Sequence, residues 1–190
     1  MKTPLILTGL ANAMPTTSSA EIVIPYGWFP HSQGMQRFFK PEADTLAANI
    51  AAEKDRLGSR FVGYPIYIGH PDVPGAPESK IGDKKAYGWL MNGEAREDGF
   101  ALTPEWSEPG KQLVENKHYR FYSPVWGAVD DGRKNGQNIK VPVRFVSLGL
   151  TNDPNIPVEP LANTATKVDM ARAHRVARRR TFEGFYGLVD

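Results

Sequence analysis

The sequence predicts an α+β domain built on a compact β-barrel or strongly curved sheet, with a few helices around it. Three observations carry that expectation. Short segments rich in β-branched and aromatic residues recur from Ile22 to Leu150, separated by Pro- and Gly-rich turns. Only two stretches in that span, opening at Pro41 and Ser107, combine helical periodicity with a helix-start signal. Many strands interleaved with so few helices is the pattern of α+β architecture. With 190 residues, 41% of them hydrophobic, the chain can bury one well-packed domain, or one domain plus a tail.

The elements follow in order. Residues 1–20, "MKTPLILTGLANAMPTTSSA", form a lead-in that resembles a secretory signal only faintly: its apolar run is broken by Thr8, Gly9 and Asn12. "EIVIPYGWFP" is a strand broken at Pro25 and Gly27, and "HSQGMQRFF" a loop or second short strand. "PEADTLAANIAAEKDRLG" is a helix: Pro41 stands at a first position, Glu42 and Asp44 lie in the first turn, and Gly58 ends it. Leu46, Ile50 and Leu57, with Ala43 and Ala47, would form its buried stripe. "RFVGYPIYIGHPD" is a β segment ending at the turn His70-Pro71-Asp72, and "VPGAPESKIGDKK" is a loop. "AYGWLMNGEAREDGFALTPEWS" is a hairpin with its turn near "EDG", and Ser107 caps a short helix over "SEPGKQLVENK". After the strand "HYRFYSPVWG", a loop "DDGRKNGQN" leads to a long strand "IKVPVRFVSLGLTN", and "DPNIP" closes the compact part. The division is thus a lead-in over 1–20, a domain over 21–163 and a basic, helical tail over 164–190.

Several function classes are excluded by composition. There is no cysteine, so a disulfide framework, a thiol nucleophile and a thiolate metal site all fall away. The four histidines, 31, 70, 118 and 174, do not cluster, and no HExxH, phosphate loop or dinucleotide fingerprint is present. No cofactor or metal is therefore expected. No run approaches the roughly 20 apolar residues that span a bilayer, so a soluble intracellular protein is expected. The 23 basic and 21 acidic residues nearly cancel, but "RAHRVARRR" concentrates positive charge at Arg172–Arg180. Such a run is a solvated helix face or a contact for nucleic acid or an acidic partner.

One strand poses a chemical question. In "HYRFYSPVWG" alternation puts Tyr119, Phe121 and Ser123 on one face and His118, Arg120 and Tyr122 on the other, and Ser123 is followed directly by Pro124. Either the hydroxyl fits a tight spot or it serves as a nucleophile. A nucleophilic serine needs a base within hydrogen-bond reach, and His31, His70 and His118 compete for that role. His70 ends its strand at Gly-His-Pro-Asp, where it either fixes the turn or is presented in a cleft.

Three stretches together resemble the Mu-like prophage I protein family of phage prohead maturation proteases: "IPYGWFPHSQGMQRF"; "GYPIYIGHPD" followed by "AYGWLMNGEAREDGFALTPEWSEPGKQLVENKHYRFYSPVWG"; and "VSLGLTNDPNIP". The family is related to other prohead proteases and is more distantly similar to herpesvirus assemblins, in which a β-barrel ringed by helices carries a serine nucleophile and a histidine base. The resemblance places the base on His70 and the nucleophile on Ser123. Relatives carry an acid near the start of a "VSL"-type strand where this chain has Phe145, and the second histidine of assemblins has no counterpart here. Asp153, after the last strand, is taken as the tentative third member; Asp72 beside His70, or a Ser/His dyad, is the alternative. Pro124 has no N–H and cannot donate to an oxyanion, which leaves another amide or a guanidinium, Arg144 or Arg120.

The implied activity is that of a serine endopeptidase cleaving phage scaffold and major capsid proteins, and itself, inside the assembling procapsid in the bacterial host cytoplasm. A homodimer is compatible with this. A catalytically inactive scaffold or procapsid-assembly protein of the same fold is the alternative, and a nucleic-acid-binding module using the basic tail is a third reading.

Overall fold

The computed structural model describes residues 5–8, 12–13, 21–31, 33–80 and 84–152. Its strands are β1 (Leu5–Thr8), β2 (Asn12–Ala13), β3 (Ile22–Ile24), β4 (Gly27–His31), β5 (Gly34–Phe38), β6 (Tyr64–Ile68), β7 (Gly88–Ala95), β8 (Phe100–Trp106), β9 (Phe121–Lys134) and β10 (Gln137–Thr151). Two helices, α1 (Lys40–Leu57) and α2 (Glu108–Glu115), accompany them. The expected α+β curved-sheet architecture is present as a curled half-barrel, with neighbours in the order β1-β9-β10-β6-β7-β8-β3. β2 joins β9, β5 joins β10, and β4 joins β5. β10 pairs in parallel with β5 and β6 and antiparallel with β9, so it ties the early and late parts of the chain together.

Local chemistry accounts for the boundaries. Pro25 interrupts the first apolar run, and β3 and β4 form on either side of it as expected. "GMQRF" is a strand, the second of the two readings open for that stretch. α1 begins where the Glu42 carboxylate accepts the Phe39 N–H at 2.8 Å and the Arg37 guanidinium at 3.0 Å, satisfying one of the orphan donors of the first turn. Ala43, Leu46 and Ile50 are its buried stripe, while Leu57 is only partly covered at the helix end. Ser107 caps α2 as expected, its Oγ accepting the Gly110 N–H at 3.2 Å.

Two boundaries depart from expectation. The segment "DDGRKNGQN" is not a loop: β9 continues to Lys134 and β10 begins at Gln137, joined by Asn135-Gly136 alone. These two residues have φ of 50° and 78°, the left-handed pair that a two-residue type I′ hairpin turn demands and that Asn-Gly meets at least cost. The ribbon is polar because its tip projects past the core, leaving Asp130–Arg133 exposed. The serine strand also starts later than expected, at Phe121 rather than His118. Lys117 turns through a φ of 58°, and Asn152 holds the approach by accepting the Arg120 N–H at 3.0 Å and donating to the His118 carbonyl at 2.6 Å.

The core lies between the sheet and α1 and includes Phe38, Leu46, Phe100, Trp126, Leu148 and Leu150. Trp126 is fully buried; its ring meets Phe38 at 5.1 Å and its Nε1 donates to Gln36 Oε1 at 2.9 Å. Trp126→Ala should therefore lower the unfolding free energy by about 3–5 kcal/mol, read from urea denaturation. A loss below about 1 kcal/mol would mean that this ring does not anchor the core.

Candidate functional site

β9 is a two-faced strand. Tyr122, Trp126 and Ala128 belong to the core cluster, so Ser123 and Val125 point to the opposite face. Ser123 is paired with Gly149 of β10, and Gly149 with Tyr67 of β6, which sets Tyr67, Gly149 and Ser123 in one row across three strands. The chain leaves β6 through Gly69, whose N–H donates to the Leu150 carbonyl at 2.9 Å. His70 then folds back over the row. A Cβ built on Gly149 would lie 2.5 Å from His70 Cε1 and 2.7 Å from Nδ1, and would also collide with the Gly69 carbonyl oxygen. The imidazole thus occupies the space that a side chain at 149 would fill. Directly opposed Cβ positions in an antiparallel pair are about 5 Å apart, and the ring over Gly149 is on the same face of the sheet as the Ser123 side chain.

The electrostatics of this cluster are those of a neutral imidazole with carboxylates nearby. Burial pushes His70 below its usual pKa of 6.5, and Asp72, then Glu78, oppose that shift. Glu78 lies against Gly69, and the Asp72 charge also helps to raise Tyr67, for which burial is the larger cause. His70 Nδ1 and Asp72 Oδ1 are both buried without a hydrogen-bond partner. No hydrogen bond joins Ser123 Oγ to His70, whose Nδ1 is unpartnered, and Ser123 itself is 4% exposed.

Because the folded state holds His70 below 6.5, the unfolded chain binds the extra proton first. Neutral His70 contributes fully above 6.5 and progressively less as pH falls towards its folded value. An NMR titration should place its midpoint below 6.5, and a His70→Gln variant should have a flatter stability profile in that window. A midpoint above 6.5 would contradict the buried, neutral assignment.

The other candidates lie elsewhere. His31 sits at the β4–β5 turn, its Nδ1 accepting the Gln33 N–H at 3.2 Å, and β5 meets β10 at Ile139 and Lys140, roughly 30 Å along the strand from Gly149. His118 is exposed in the turn before β9. Arg144 is exposed and paired with Gly127, roughly 16 Å along β10 from Gly149; it is not brought to the cluster. Arg120 is exposed just ahead of β9. Phe145 is buried in the core, edge-on to Tyr64 at 5.4 Å, on the face away from Ser123. Asp153, His174 and the tail over 164–190 lie outside the described residues. Among the described residues, no group of three or more His, Asp or Glu is placed to hold a metal ion, and no helix is long and apolar enough to cross a membrane.

Residues 22–162 match the family described as Mu-like prophage I protein, N-terminal domain. The chain belongs to the Mu-like prophage I protein family. No curated protein and no solved structure matches it. The matched span of this prophage I domain begins with β3 and takes in the whole Tyr67–Gly149–Ser123 row, leaving β1 and β2 outside.

Two residues of the cluster escaped the sequence reading. Gly149 was legible in principle: a glycine between leucines in a long strand marks a close backbone approach. Glu78 gave no signal, because only the path of the 69–80 loop brings it back to Gly69.

Proposed function

We propose that this prophage I domain is a serine endopeptidase of phage procapsid maturation, with Ser123 as nucleophile and His70 as base. The supporting observation is the His70 imidazole lying over Gly149, the cross-strand partner of Ser123. Strands are stiff, so the pairing of Ser123 with Gly149 fixes the nucleophile against the residue that the His70 ring covers, the kind of positioning acyl transfer needs. Neutral His70 takes the Ser123 proton as Oγ bonds to the scissile carbonyl carbon. The same proton then passes to the leaving amine as the C–N bond breaks. Water, deprotonated by His70, cleaves the resulting ester and regenerates the serine.

Apo sites of this kind tighten when substrate binds, so a small rotation of His70 towards Ser123 is part of the mechanism. Asp72 is the carboxylate we assign to positioning: its unpartnered Oδ1 would accept the unpartnered Nδ1–H of His70. Pro124 has no N–H and Arg144 stands apart along β10, so oxyanion stabilisation falls to another backbone amide. The substrates in this reading are phage scaffold and major capsid proteins, met inside the procapsid in the host cytoplasm.

The low exposure of Ser123 favours a second reading, an inactive assembly protein of the same fold. Co-expression with scaffold and capsid proteins separates the two, combined with labelling by a fluorophosphonate and mass-spectrometric mapping. The protease yields cut products and a modified Ser123. Uncut partners together with an unlabelled serine would establish the assembly role instead.

A further inference from the structure

A second serine shares the face of Ser123. Ser147 lies on β10 two residues before Gly149, and it pairs with Val125 as Gly149 pairs with Ser123. Phe145 belongs to the core cluster, so unbroken alternation would send Ser147 the same way. A register shift between Phe145 and Ser147 prevents this. The extra residue, Val146, leaves Leu148 pointing into the core and Ser147 away from it, which is how a bulge re-aims a side chain. Ser147 is fully buried, and its Oγ has no hydrogen-bond partner. Burying an unpaired hydroxyl is costly, and alanine here would avoid the cost. Among the described residues, four buried side-chain atoms are left unpaired. Gln36 Nε2 is one, on a side chain whose Oε1 accepts from Trp126. The others are His70 Nδ1 and Asp72 Oδ1, on side chains that act on each other electrostatically, and Ser147 Oγ, two residues from the glycine beneath the His70 ring. Polar groups left unpaired at one place mark where a ligand supplies the partners.

We infer that the Ser147 hydroxyl is a hydrogen-bond donor to the oxyanion formed when Ser123 attacks a peptide, acting beside the backbone amide. This rests on Ser123 being the nucleophile. Ser123 and Ser147 are diagonal neighbours across β9 and β10, a relation that sets two residues roughly 7–8 Å apart, their Cβ atoms somewhat less. That gap takes an acyl carbon bonded to Ser123 Oγ, the oxygen on that carbon, and one hydrogen bond from Ser147. As the Oγ–C bond forms, the carbonyl π pair moves onto oxygen; Ser147 donates a hydrogen bond to that oxygen and keeps its proton. When the C–N bond breaks, the C=O double bond re-forms and the hydrogen bond weakens. The donor therefore acts most strongly where negative charge develops. Among the described residues, positions 70–80, which include His70, hydrogen-bond only to one another: Val73 to His70, Ala76 to Val73 and Ser79 to Ala76. The ring can shift to admit a substrate without breaking a hydrogen bond to the sheet.

The test compares the full parent chain with Ser147→Ala, Ser147→Thr and Ser147→Val. The readouts are the rate of fluorophosphonate labelling of Ser123, scaffold cleavage on co-expression, the His70 NMR titration and the urea midpoint. The phosphonyl oxygen of the probe takes the place of the oxyanion. Ser147→Ala should slow labelling and cleavage by about 10²-fold or more. Its His70 titration should not move, and its urea midpoint should equal or exceed the parent's, since an unpaired buried hydroxyl is gone. Threonine and valine have the same shape, so the threonine variant should outpace the valine one by a similar factor. Parental rates in the alanine and valine variants, with Ser123 labelled, overturn the Ser147 assignment and leave the nucleophile standing. A slow rate with a shifted His70 titration overturns it as well, because Ser147 would then act through the imidazole. No labelling of Ser123 in any form, the parent included, removes the nucleophile and the oxyanion with it. An alanine variant that fails to fold makes the hydroxyl structural and ends the proposal.

Discussion

Ser123→Ala should abolish cleavage, lowering kcat by roughly 10⁴- to 10⁶-fold, while leaving the denaturation midpoint close to that of the parent. The size of the first effect follows from the chemistry. Without Oγ there is no acyl-enzyme, and the remaining rate is that of water attacking a merely bound peptide. The smallness of the second follows from the site. Oγ makes no hydrogen bond with His70, and removing a lone oxygen from the face opposite the core cluster leaves Tyr122 and Trp126 seated in the core. A stability change within about 1 kcal/mol is expected. Cleavage of co-expressed scaffold at the parental rate would end the serine assignment. Loss of cleavage together with unfolding would instead mark Ser123 as a packing residue.

Gly149→Ala should be nearly as damaging although it touches no substrate. The added methyl would enter the space held by His70 Cε1 and Nδ1 and press on the Gly69 carbonyl. The ring can swing away, but the backbone oxygen cannot, because Gly69 N–H is bonded to Leu150 in the same strand pair. The expected outcome is a displaced imidazole and a loss of about 10²-fold or more in kcat/KM, with destabilisation of about 1–3 kcal/mol. The diagnostic readout is the His70 titration, which should move up towards its ordinary value as the ring reaches water. An unchanged titration and full activity would mean that the imidazole does not depend on the space above Gly149.

Most of the architecture was readable because its signals are local. Proline at 25 breaks a strand, Pro41 and Ser107 open helices, and alternation marks β6 and β7 whatever the rest of the chain does. The β9–β10 ribbon was misread for a physical reason. Its outer half projects into solvent, so polar residues on both faces erase the alternation, and only Asn135-Gly136 betrayed the hairpin. Ser123 and His70 were singled out by their place at a strand and a strand end, and by family likeness. Of the three histidines, His70 is the one that register carries to the partner of Ser123: β10 pairs with β6 at Gly149, and the chain beyond β6 carries His70 back over that residue.

Residue order by itself determined most of the element types and the absence of thiol chemistry, because propensity, capping and composition act over a few positions; the candidate pair came from family resemblance. Tertiary structure alone decided that the pair shares one face of the sheet, that a glycine makes room for the imidazole, and that the first strands run along the serine strand. Those facts depend on which strand lies beside which, and that pairing is chosen by burial of Trp126, Leu148 and Leu150 in a common core. No short stretch of sequence encodes it.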